Sequence, residues 1–388
     1  MTTLIILLAA FIAYLIYERV GLDRTRKSIP LVISVSGTRG KSTVVRLLAS
    51  VLRERGRVVL AKSTGSQAQY VLPDGSVEDI RRRGMVTILE QKKLLRKAVA
   101  LGADCVVAEV MSIRPENHVV ESQHILKPDV VVVTNVRKDH MDAMGETEEE
   151  IGRVFQLDLP ARCTAYFSVE SQHCFNQEEI NARSIRFNLV HPGSGAPDAG
   201  RSAVMPAGEF PENVDLVNAV ASGLGIDEKT ILRGIQNAVH DLGKFRIWKM
   251  QIDGKRIWVV NGFAANDPES TTKVLEKSCD IIGGTPEITG LLNLRRDRPD
   301  RTVQWIEALQ GGTGHKFSGI HVIGGHANVV RRRTSSAEIV TAKTPESITR
   351  AVAAGMKSEG VLFGFGNIGG PGKELVAYWQ RAGAPYGV

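Results

Sequence analysis

Cysteine is scarce in this 388-residue chain, and what there is shows no arrangement for chemistry. Cys105, Cys163, Cys174 and Cys279 have neither metal-ligand nor redox-motif spacing, so they read as reduced thiols of a cytosolic body, Cys105 within an apolar run. Aromatic residues make up only 5%, yet the composition is otherwise that of a globular protein and gives no sign of disorder. Nucleic-acid recognition motifs are absent and the basic residues are dispersed, which argues against a nucleic-acid binder. No positive stretch precedes the N-terminal apolar run and no clear small-x-small site follows it, which argues against a cleaved signal peptide.

What is present begins with a charge excess. A formal charge of +7 and an isoelectric point near 9.2 favour anionic partners such as nucleotides, acidic substrates or lipid headgroups, or simply keep the protein soluble. The length suffices for two domains. Thr2 to Tyr17 carry no charge, and Glu18, Arg19, Arg24, Arg26 and Lys27 follow. That pattern predicts a retained membrane anchor, with Val20 to Leu22 extending the apolar stretch toward the roughly 17–25 residues a span needs. The positive flank places the remainder in the cytoplasm. An amphipathic or buried N-terminal helix is the alternative, against which the lack of polar residues through Tyr17 counts.

The most informative stretch is Leu31 to Thr43, Leu-Val-Ile-Ser-Val-Ser-Gly-Thr-Arg-Gly-Lys-Ser-Thr. An apolar, β-branched run empties into a turn carrying Gly37 and Gly40, and an amphipathic segment from Val44 to Arg53 follows. This reads as strand, phosphate loop and helix. Gly37, Thr38, Arg39 and Gly40 wrap backbone N–H groups around phosphate oxygens, Lys41 reaches the terminal phosphates, and Ser42, with Thr43, offers a hydroxyl to Mg²⁺. Val35 stands where the usual pattern has its first glycine.

Two further buried strands supply polar ends. Asp104 to Val110 includes Glu109, placed where a Mg²⁺–phosphate complex needs a carboxylate. Asp129 to Val136 opens onto Asn135-Val136-Arg137-Lys138-Asp139-His140-Met141-Asp142, polar groups that are costly at a strand end unless they meet a ligand or one another.

In this order and spacing, the loop, Glu109 and the Asn…Asp-His-x-Asp segment resemble the ATP-binding domain of the Mur ligase superfamily. The resemblance implies an α/β fold with ATP and Mg²⁺ as cofactors, Asn135 beside the nucleotide and His140 on a second Mg²⁺. Val214 to Gly225 resembles the family's adenine-contacting helix, with Asn218 on its second asparagine and Asp215 in place of the first. Leu242 to Phe245 resembles its Pro-Gly-Arg element, which implies Lys244 or Arg246 as the cation for the γ-phosphate. Val260 to Ser270 resembles the turn opening the family's C-terminal domain and brings Asn261 and Asn266 to the nucleotide. Two departures stand out. Only about thirty residues precede the first strand, so no UDP-linked sugar substrate is implied, and no lysine from Asp139 through Glu228 can supply the family's carboxylated metal ligand.

The expected organisation is an anchor with basic flank at 1–28, a Mur-type ATP-binding domain with a mostly parallel sheet at 29–244, and a smaller Rossmann-like α/β domain at 245–388. His191 to Pro211, rich in Gly, Pro, Ser and Ala, reads as a surface loop. In the last domain Arg295, Arg296, Arg298 and Arg301 share one strand-end loop, where their mutual repulsion calls for anions, and arginine's planar fork suits carboxylates. Together the anchor and the missing sugar-nucleotide domain resemble the poly-γ-glutamate synthase branch of the superfamily. That implies glutamate and a growing poly-γ-glutamate chain as substrates, small membrane subunits as partners, a location at the cell membrane and a possible homo-oligomer. The alternatives are a folylpolyglutamate-type synthetase, which has no reason to sit at a membrane, and a membrane-tethered P-loop ATPase serving an exporter. The latter does not account for a second α/β domain that opens on a nucleotide-type turn.

Overall fold

Apolar runs that need burial on both faces become the parallel strands at the centre of each sheet. In the computed structural model, which describes every residue except 65–67, 83–85, 194–209, 239–244, 284–286, 335–336 and 388, the chain divides into two compact units. The first closes with the helix Glu228–Gln236 and the second opens with the strand Arg246–Ile252.

The first unit holds β1 (Leu31–Ser36), β2 (Val59–Ser63), β3 (Gln69–Val71), β4 (Val77–Asp79), β5 (Cys105–Glu109), β6 (Val130–Val133), β7 (Thr164–Ser168) and β8 (Arg186–Val190). They lie in the order β4-β3-β2-β5-β1-β6-β7-β8, parallel except at one edge, where β3 pairs antiparallel with both β2 and β4. The polar, Gly-containing stretch from Ser63 to Ser76, which reads from its residues as a loop, contains a strand, β3, too short to show a periodicity. β1 runs between β5 and β6, with Val35 opposite Glu109 and Ser36 opposite Val133. The segments after β1, β5 and β6 therefore leave the same carboxyl edge, where open sheets of this kind bind ligands.

Helix α2 (Lys41–Glu54) follows the loop and buries Val44, Val45, Leu47, Leu48, Val51 and Leu52. These pack with β1 residues Ile33 and Val35 and with Leu216, Val220, Ile231 and Ile235 of the helices Pro211–Gly223 and Glu228–Gln236. The α2 N-terminus is thus held firmly at the sheet edge. Residues 194–209 of the expected His191–Pro211 loop lie outside the described residues, and Pro211 already begins a helix.

Helix α1 (Thr2–Lys27) is long and apolar enough to cross a membrane. Val20, expected with Gly21 and Leu22 to extend the apolar stretch, is exposed. Leu22 is buried among Ile29, Leu94, Leu95 and Ile125, and Glu18 and Asp23 pair with Lys92 and Lys127 at 2.9 and 2.7 Å. Arg26, also buried, donates to the carbonyls of Leu126, Lys127 and Ile29 and to Asp129 Oδ2. Arg26→Ala orphans those carbonyls, and chemical denaturation should show a loss of about 2–3 kcal/mol.

The second unit comprises β9 (Arg246–Ile252), β10 (Lys255–Asn261), β11 (Ile288–Leu294), β12 (Gly319–Gly324), β13 (Ala337–Ile339), β14 (Glu359–Gly366) and β15 (Ala384–Pro385). Their order is β13-β12-β11-β14-β10-β9-β15. β9 and β10 form a hairpin, with both Asp253 and Gly254 at positive φ as a tight primed turn requires. Trp248, Phe263, Leu291, Leu362 and Trp379 centre its core.

Candidate active site

The loop after β1 adopts a backbone that requires glycine at two positions. Gly37 and Gly40 have φ of 113° and 83°; a Cβ at Gly37 would lie 2.4 Å from Thr134 Oγ1, and one at Gly40 would lie 2.3 Å from Asn213 Oδ1. Thr38 donates its N–H to the Asn135 carbonyl, and its hydroxyl bridges the N–H and C=O of Arg137. Asn135, expected beside the nucleotide, clasps Arg39 of the loop: Oδ1 accepts from the Arg39 N–H at 3.0 Å and Nδ2 donates to its carbonyl at 3.1 Å. These two bonds hold the Arg39 backbone in the loop.

Lys41 folds back into that loop, its ammonium donating to the carbonyls of Gly37 at 2.6 Å and Thr38 at 3.3 Å. Burial pulls its pKa below the usual lysine range, with Glu109 as the main opposing influence. Ser42 Oγ donates to Glu109 Oε2 at 2.7 Å, and the same oxygen accepts the Thr64 N–H at 2.6 Å. A hydroxyl and a carboxylate oxygen thus converge at the start of α2, beside Thr43, a hard-oxygen pair of the kind Mg²⁺ takes together with water and phosphate oxygens. The donor chemistry fits that ion.

His140, left-handed at φ 50°, follows Asp139, whose Oδ1 accepts the His140 N–H. Asp139 Oδ2 also lies 3.5 Å from Arg39 Nη2 and 3.9 Å from His140 Nε2, so the loop and the His140 segment share one carboxylate. Asn218 is buried on the helix Pro211–Gly223, and Asp215 there accepts the Gly193 N–H at 3.0 Å.

Of the remaining expected residues, Lys244 lies outside the described residues. The others belong to the second unit. Arg246 opens β9 opposite Asn261 at the end of β10. Asn266, with its amide oriented as its neighbours require, donates to the Gly366 and Phe263 carbonyls and accepts from Arg301. The expected repulsion among the arginines is largely met from within the loop. Arg295 makes a two-pronged contact with Asp297, and Arg298 hydrogen-bonds Asp300, holding its carboxyl below the ordinary range. Arg296 is exposed and Arg301 buried. Asn293 donates to the carbonyls of Asn367 and Gly369, tying the end of β11 to the glycine-rich turn after β14.

Several residues at the site escaped sequence reasoning. Asn213 packs on Gly40 from a distant helix. Glu121, buried and pushed up by desolvation, accepts from Gln91 Nε2 and the Met111 and Ser112 N–H groups, while Gln91 also donates to the Glu109 carbonyl. A carboxylate inside an apolar stretch, as at Asp158 in Gln-Leu-Asp-Leu-Pro, was the one available signal. Glu148, His173 and Cys174 also bring ligand atoms within 4.8 Å of one another. Burial pushes the Cys174 thiol up to about 11.

Comparison with known proteins gives a consistent picture. Residues 35–157 match the Mur ligase middle domain, and residues 247–382 match the poly-γ-glutamate synthase CapB C-terminal domain. The chain is 32% identical over 307 residues to the PGA synthase CapB of Bacillus subtilis, covering 79% of this chain and 78% of that one. It is 33% identical over 297 residues to the capsule biosynthesis protein CapB of Bacillus anthracis, covering 76% of this chain but 63% of that protein's length. A Yersinia pestis bifunctional folylpolyglutamate synthase/dihydrofolate synthase, crystallised with AMPPNP and Mn ion, shares the fold with a TM-score of 0.68 at 16% identity, over 96% of this chain and 97% of that one.

Proposed function

The chain belongs to the poly-γ-glutamate synthase family of Mur-type ligases, and from that premise we propose that it joins glutamate through its γ-carboxylate in an ATP-dependent amide ligation. The observation that carries the proposal is the convergence of Lys41, Ser42 and Glu109 at the carboxyl edge of β1 and β5. ATP phosphorylates the γ-carboxylate, releasing ADP. The amine of a second glutamate then attacks the acyl phosphate, and phosphate leaves through a tetrahedral intermediate.

Each side chain is asked to position groups or offset charge. Lys41 neutralises the transferring phosphoryl group, aided by Arg246 or Lys244. Ser42 and Glu109 would hold a Mg²⁺ that spreads the phosphate charge, with His140 serving a second ion. Gly37, Thr38, Arg39, Gly40 and Thr43 line the phosphates; Asn218, Asn261 and Asn266 are assigned to the nucleotide, and Arg295, Arg296, Arg298 and Arg301 to the glutamate carboxylates. We place Thr2 to Tyr17 in the cell membrane and both units in the cytoplasm, since Arg19, Arg24, Arg26 and Lys27 follow the apolar stretch. Small membrane subunits complete the synthase in this reading.

The test follows products. ADP and phosphate should appear in step with γ-amide bonds, and hydroxylamine should capture activated glutamate as its γ-hydroxamate. AMP and pyrophosphate would contradict the chemistry. ATP hydrolysis without incorporation of labelled glutamate, in membranes holding the partner subunits, would favour the tethered ATPase.

A further inference from the structure

At the root of the phosphate loop lies a buried ion pair that the reaction above leaves unused. Asp158 is fully buried and accepts Ser36 Oγ at 2.5 Å and Ser122 Oγ at 2.7 Å. His118 Nδ1 stands 2.9 and 3.0 Å from its two oxygens. Ser36 is the last residue of β1, directly before Gly37, so Asp158 is anchored to the foot of the loop. His118 is equally buried, with the Phe155 ring edge-on at 6.0 Å, and its Nε2 has no hydrogen-bond partner among the described residues.

We propose that His118 and Asp158 form a charge-setting, positioning pair for the phosphate loop. With the imidazole protonated, the pair is neutral and the loop's cation acts on phosphate undiminished; with it deprotonated, one uncancelled carboxylate charge faces the nucleotide. The inference rests on the phosphate-loop assignment and not on the identity of the acid substrate.

Opposing influences act on the imidazole. Burial opposes protonation of His118, but the adjacent Asp158 carboxylate outweighs it and raises the pKa above the ordinary histidine value. Glu121 acts in the same direction and Lys41 in the opposite one, while Ser122 and Phe155 bring no charge. Because the value is raised, the neutral pair persists below the ordinary histidine range. It is lost as pH climbs through the raised value.

The experiment is calorimetric titration of the full-length protein in detergent with ADP and Mg²⁺, from about pH 6 to about pH 9, alongside thermal unfolding. The wild type should bind about tenfold more weakly at the alkaline end. His118→Gln, which strands the carboxylate, should bind weakly at every pH. The double variant His118→Gln with Asp158→Asn carries neither charge and should bind tightly without the alkaline limb. It also keeps the inference testable if the single variant does not fold. Glu121→Gln should retain the limb. A limb that survives in His118→Gln, or disappears in Glu121→Gln, overturns the inference, as does a double variant that folds yet binds as weakly as His118→Gln. Binding without any limb in the wild type overturns the inference alone, whereas no binding at any pH overturns the phosphate-loop reading with it.

Discussion

Lys41→Ala should cut ATP turnover by about a thousandfold, the order expected when a charge aimed at the transferring phosphoryl group is removed. The same substitution should leave the unfolding midpoint unchanged or slightly raised. In the structure Lys41 serves no core packing: its ammonium rests on the Gly37 and Thr38 carbonyls, and burial works against its charge. A residue whose removal relieves desolvation yet abolishes turnover is retained for its ligand. Equal ATP hydrolysis by variant and wild type, or a loss of turnover that merely tracks unfolding, would remove Lys41 from the site.

The second large effect is expected at Glu109. Glu109→Gln keeps an oxygen for the Thr64 N–H and the Ser42 hydroxyl, so the geometry survives while the negative charge is lost. The Mg²⁺ concentration for half-maximal activity should rise about ten- to a hundredfold, with some activity recovered at high Mg²⁺. His140→Ala should shift the requirement in the same direction. If titrations of both variants with Mg²⁺ overlay the wild type, these residues only shape the carboxyl edge.

The parts of the site that could be read from sequence are those whose chemistry is local. An apolar β-branched run, two glycines, a lysine and an amphipathic segment specify β1, its loop and α2 with little help from elsewhere. Glu109 and the His140 segment were visible because a polar group at the end of a buried strand is costly unless a ligand or a polar neighbour meets it. Legibility fails where partners are far apart in the chain. Asn213 lies well over a hundred residues beyond Gly40, yet its side chain leaves no room for a Cβ there. Asn135 reads equally well as a ligand contact or as the clasp on Arg39 that it makes, because an amide suits both. The insertion of β14 between β10 and β11 is a matter of sheet order, to which periodicity is blind. The arginine loop shows a different failure. Asp297 and Asp300 were in plain view, but their pairing with Arg295 and Arg298 depends on the turn that brings residues two apart into contact.

The attachment of α1 has a mechanical meaning. A helix gripped at its foot by Arg26, Glu18 and Asp23 behaves as a strut and not as a leash. With Thr2 to Tyr17 in a bilayer, roughly 24 Å of helix, the first unit cannot tumble or reach along the surface. β1 starts four residues after α1 ends, and its six residues span roughly 20 Å to the phosphate loop. In the membrane placement proposed above, phosphoryl transfer is thereby kept at one stand-off and one tilt from the lipid, and a growing chain would have to be brought to that point.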